Sequence, residues 1–154
     1  MTVVVGAWVV MKKVRGDRYP TVAVAVLTGA RNAPTLIEEF ALVPQGEDLS
    51  ARVTDLGSAF SNRVEGLNAD VVVVRRADRP QRPSNTEGPR ERLLAEGALA
   101  YAAASSGADV VLLCGRDLAS QAGTSKASLD EEAEAMFGSG PKESVAAALA
   151  VLGV

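Results

Sequence analysis

The chain of 154 residues contains no histidine and a single cysteine, Cys114. Without histidine, general-base chemistry of the usual kind, a serine triad, a cysteine–histidine pair and the common zinc ligand sets are all excluded. A single cysteine excludes an internal disulfide. Aromatic residues make up 4% of the chain against 47% hydrophobic residues overall, so a core here has to be built from Val, Leu and Ala. No apolar run reaches the ~18 residues that span a bilayer, and Met1 leads into a valine-rich segment with no basic region or signal-type cleavage site. A cytoplasmic protein with no membrane association is therefore expected. Gly115 and Gly123 belong to no Gly-x-x-x-x-Gly-Lys-Ser/Thr loop, which argues against a nucleotide hydrolase.

Length and even composition point to a single domain over residues 1–154. The net charge of −3 conceals an asymmetry along the chain. Residues 1–92 hold 13 Lys and Arg against 11 Asp and Glu, whereas residues 93–154 hold 3 against 8. Within residues 75–92, Arg75, Arg76, Arg79, Arg82, Arg90 and Arg92 face only Asp78, Glu87 and Glu91, a local basic patch on an acidic protein.

Hydrophobic periodicity orders the elements. Residues 3–14 are rich in β-branched side chains and end in Arg15-Gly16-Asp17-Arg18, a turn composition; residues 21–28 and 36–43 follow as two further strands, predicting an antiparallel meander. Leu49, Val53, Leu56, Phe60 and Val64 then recur at helical spacing, with Asp48 as the cap and Gly66 as the stop. The valines at 71–74 predict a strand covered on both faces. A proline-rich loop over 75–89 leads into an Ala-rich helix starting near Pro89 and stopping at Gly107. Residues 110–113 form a second buried strand. Ser128 and Glu131 have capping-box spacing for the next helix, and a last helix buries Val145, Ala148, Leu149 and Leu152.

Right-handed crossovers place strands four and five parallel to strand one, giving a five-stranded mixed sheet in the order 3-2-1-4-5 with helices on both faces. This is the arrangement of the RNase H-like fold. Within it, residues 90–154 resemble the RuvC-type Holliday junction resolvases. The resemblance lies in Arg92-Leu93-Leu94-Ala95-Glu96-Gly97-Ala98 opening a long helix, a short strand, Gly123-Thr124-Ser125-Lys126 before a helix, and a final Ala147-Ala148-Leu149-Ala150-Val151.

Such resolvases cleave four-way DNA junctions with four carboxylates that hold two magnesium ions. The resemblance implies one carboxylate on strand one, where residues 2–14 contain no Asp or Glu. It implies a second at the end of strand four, where Arg75 stands, and two on the last helix, where Ser144 and Ala147 stand with Glu143 one residue away. An arginine in such a position repels metal ions. Only Asp78 and Glu143 remain as displaced carboxylates. The resulting expectation is a catalytically degenerate domain with no catalytic residues, no bound metal and no cofactor.

Three functions stay open. The first is binding of junction or duplex DNA without cleavage, through Arg75, Arg76, Arg79, Arg82 and Lys126, because loops that follow parallel strands gather at the carboxyl edge of the sheet. The second is a scaffold whose old catalytic face or Ala-rich helix binds a protein partner or a second copy in a homodimer. The third is an active metal-dependent endonuclease with displaced ligands. Other polar features read as structure: Glu38 and Glu39 on opposite faces of a strand and Asp130-Glu131-Glu132 at a helix start as solvated surface, Cys114 as small core, and Trp8 as packing.

Overall fold

A valine-rich segment, a segment alternating valine and alanine, and a segment with Leu36, Phe40 and Leu42 make three consecutive strands, β1 (Val3–Val14), β2 (Asp17–Ala30) and β3 (Ala33–Leu42), which pair antiparallel in sequence order. β4 (Val71–Arg76) lies parallel to β1 with Trp8 opposite Arg75, and β5 (Asp109–Cys114) lies parallel to β4 with Cys114 opposite Arg76. The order is β3-β2-β1-β4-β5, as expected from the crossovers, with β1 at the centre. The structure is a computed structural model that describes residues 1–14, 16–78, 87–138 and 140–153. No helix among them is long and apolar enough to cross a membrane.

Period two in the strands separates two cores. Val5, Ala7, Val9, Val72 and Val74 face α1 (Leu49–Leu67) and α2 (Glu87–Ser105), whereas Val4, Ala25, Leu27 and Val73 face α3 (Gly115–Gln121), α4 (Lys126–Phe137) and α5 (Lys142–Val151). α1 presents Leu56, Phe60 and Val64 as one buried stripe, each contributing about 2 kcal/mol by removal from water. α5 is Ala-rich for a different reason: a Cβ on Gly6 of β1 would lie 2.0 Å from the Ser144 carbonyl oxygen, so helix and strand touch backbone to backbone. Larger side chains on either element would hold them apart.

Several boundaries differ from expectation. Asp48 does cap α1, its carboxylate accepting the Ala51 N–H, but the helix passes through Gly66 and ends on Asn68, whose φ of 49° supplies the left-handed cap. Pro89 is the third residue of α2, which begins at Glu87. α4 starts two residues before Ser128; its cap is Ser125, whose hydroxyl accepts the Ser128 N–H. α3 lies between the strand at 110–113 and the helix signalled by Ser128, in a stretch for which the sequence pattern predicts no element.

Candidate functional site

β4 ends in Arg75 and Arg76 and delivers the two arginines in succession to opposite faces of the sheet. Arg75 turns inward. It is 2% exposed, and its Nη1 donates to Asp130 Oδ1 of α4 at 2.9 Å and to the Glu143 carbonyl of α5 at 3.4 Å, while Nη2 donates to Asp130 Oδ2 at 3.4 Å. The guanidinium lies against the backbone of Gly115, where any Cβ would come within 2.5 Å of Nη2. Trp8, its neighbour on β1, has the Arg75 guanidinium 5.2 Å from its ring centroid and that of Arg92 at 4.0 Å. Arg92 pairs in turn with Glu96, a buried carboxylate on α2 that also accepts the Ala77 N–H at 2.9 Å. Two ion pairs, Asp130 with Arg75 and Glu96 with Arg92, meet at the Trp8 ring and thus tie α4 to α2 around the end of the sheet. Both carboxylates are paired within the protein, whereas Arg75 Nε and Arg92 Nη2 are buried with no acceptor among the described residues.

The neighbouring positions on α5 are equally committed. Ser144 is fully buried and its hydroxyl donates to the Ala23 carbonyl at 2.7 Å; Ala147 is fully buried among apolar side chains. Among the described residues, no group of three or more Asp, Glu, Cys and His is placed to hold a metal ion.

Of the five residues expected to meet phosphate, Arg75 is withdrawn from solvent as described. Arg76 is exposed, and Arg79 and Arg82 lie outside the described residues. Lys126 is half-exposed and ion-paired with Asp78 at 2.5 Å. The loop after β4 and the segment after β5 do share one edge: Asp78, Cys114, Arg116, Asp117, Ser120 and Lys126 line a common cleft of about 650 Å³. Cys114 is therefore half-buried at a cleft rather than in the core, its thiol 3.3 Å from Asp117 Oδ2. The acidic run of α4 also differs from expectation, since Asp130 holds Arg75 and Glu132 holds Arg31 at 3.0 Å.

Other basic residues of residues 1–92 are used internally: Arg52 stacks 3.5 Å from the Tyr19 ring centroid, and Arg63 pairs with Glu38 and lies over Phe40. The β1–β2 hairpin is different. β1 continues past its last pairing with β4 at Trp8, carrying exposed Lys12 and Lys13, with Arg18 opposite Lys13 on β2. With Arg76 and Arg116 these form a set of exposed cations for which no ion pair is made among the described residues. In the sequence, the turn composition of Arg15-Gly16-Asp17-Arg18 masks these cations, and the excess of basic residues around that turn is the signal for them.

No protein-family model matches the chain, and no curated protein matches it. Solved structures do. RuvC of Thermus thermophilus is similar with a TM-score of 0.72 at 15% identity, over 97% of this chain and 92% of that one. T. thermophilus RuvC in complex with a Holliday junction substrate gives 0.66 at 15% identity over the same shares. The yeast mitochondrial Holliday junction resolvase gives 0.57 at 13% identity, over 95% of this chain and 74% of that one. At these identities the likeness establishes the fold, an RNase H-like mixed sheet of the RuvC type.

Proposed function

We propose that this chain binds structured or duplex DNA without cleaving it. The supporting observation is the pairing of an RuvC-type fold with exposed Lys12, Lys13, Arg18, Arg76 and Arg116 around the carboxyl edge of its sheet, none ion-paired among the described residues. A phosphate backbone is the ligand that a run of uncompensated cations recognises without further design. Lys126 joins them when it exchanges Asp78 for phosphate. Arg75 acts behind this surface by holding α4 and α5 in place.

The two-metal centre that the fold family implies is not matched by the residues present. A buried guanidinium stands at the end of β4, Ser144 spends its hydroxyl on a backbone carbonyl, and Ala147 offers no oxygen donor. Each ion would meet the fixed positive charge of Arg75 without a set of carboxylates to outweigh it. The reading is therefore of a DNA-binding pseudoenzyme.

A homodimer is part of the proposal. On α2, Leu94 and Tyr101 are 54% and 78% exposed, and Tyr101 borders a groove of about 500 Å³ against α1, an apolar surface suited to a second copy.

The test is a titration against four-way junction, duplex and single-stranded DNA at two salt concentrations, with and without magnesium. Salt-sensitive binding with intact DNA strands is the expected result. Absence of binding to every form removes the proposal, and a protein-interaction role then leads.

A further inference from the structure

A second cleft, of about 390 Å³, lies on the α2 side of the sheet edge, between the β1–β2 hairpin and the first turns of α2. Its apolar walls are Met11, Pro89 and Leu93, and Arg18, Arg76 and Arg92 border it. Leu93 is 56% exposed, a large apolar side chain at a polar edge. Arg92 is held over Trp8 and has a buried Nη2 with no acceptor among the described residues. Gly88 also lines the cleft, and a Cβ there would meet nothing within 4 Å. The two carboxylates at this site are both engaged, Glu96 by Arg92 and the Ala77 N–H and Asp78 by Lys126, so Arg18 and Arg76 leave the mouth net positive.

An apolar, guanidinium-bordered slot with cations at its rim matches an amphipathic ligand that is flat and apolar at one end and anionic at the other. A nucleotide has that form. We infer that this cleft receives one unpaired nucleotide of a bound DNA strand, its base between Leu93, Met11 and Arg92 and its phosphate at Arg18 and Arg76. The inference rests on the DNA-binding reading and adds to it a preference for DNA with an unpaired base, which a surface of cations alone does not give. The cleft volume falls in the range of small-ligand sites.

The experiment compares a fully paired duplex, the same duplex with one bulged 2-aminopurine, the duplex with an abasic site in the bulge, and free 2-aminopurine nucleotide. The bulged base should bind about tenfold more tightly than the abasic form, in keeping with the strength of single-base stacking, and its fluorescence should change on binding. Leu93→Asn makes the wall polar at an exposed position without adding charge, and Gly88→Leu fills the slot where there is room for a side chain. Both should erase the preference for the bulged base while leaving affinity for paired duplex within about twofold, since neither adds charge beside Arg18 and Arg76. Equal affinity for bulged and abasic DNA, with duplex binding intact, overturns the nucleotide site alone. If no DNA binds, both this site and the DNA-binding reading fall; if only the free nucleotide binds, the occupant is a small molecule and the strand assignment is wrong.

Discussion

Arg75 and Asp130 form a two-pronged ion pair with Nη1 to Oδ1 at 2.9 Å, joining the end of β4 to α4. Arg75 is nearly inaccessible and Asp130 keeps 19% side-chain exposure, so removing the arginine leaves a largely desolvated carboxylate unpaired. Arg75→Ala should lower stability by about 3 kcal/mol, measured by urea denaturation. Arg75→Met combined with Asp130→Leu should recover most of that loss, because apolar replacement of both partners removes the stranded charge. A double variant as unstable as Arg75→Ala would show that packing of the guanidinium on Gly115 and Trp8 outweighs the ion pair.

The same burial predicts different parts for two adjacent arginines, since Arg75 is withdrawn from solvent and Arg76 is exposed. Arg76→Ser should reduce the log–log salt slope of DNA binding by about one, the signature of one lost phosphate contact. Arg75→Lys should leave that slope unchanged. Equal slopes in Arg76→Ser and the unmodified protein would remove Arg76 from the interface.

Magnesium and manganese should neither bind tightly nor support strand cleavage, as followed by calorimetry and by nicking of a labelled four-way junction. Metal-dependent nicking that vanishes in Asp78→Asn or Glu143→Gln would restore an endonuclease with displaced ligands.

Gly6→Ala should destabilise the protein by about 3 kcal/mol or more, since the added carbon collides with a helix backbone that has no rotamer to change. The midpoint of denaturation measures it. A neutral effect would mean that α5 shifts freely on the sheet.

The strand order was legible in the sequence because period-two valine segments, an apolar run at 71–74 and helical spacing from Leu49 to Val64 are each local signals. The seven-residue α3 was not, being too short to show a period and opening on glycine. Nor was the true stop of α1: Gly66 is a common terminator, but the cap fell to Asn68, which also tolerates left-handed backbone. Inside the site, Arg75 read as one member of an exposed cluster because its partner Asp130 is 55 residues away in sequence. Composition reveals a basic patch, but only tertiary packing shows which of its members are spent on the protein itself.

The close seat of α5 on β1 has a kinetic consequence. Residue 6 meets residue 144 directly, and α5 also packs on β2 and β4. During synthesis, Val4, Ala25, Leu27 and Val73 on that face of the sheet must wait for this late segment before they are fully covered. Contacts between such distant parts of the chain slow folding, and the uncovered sheet is the form most open to aggregation or chaperone capture.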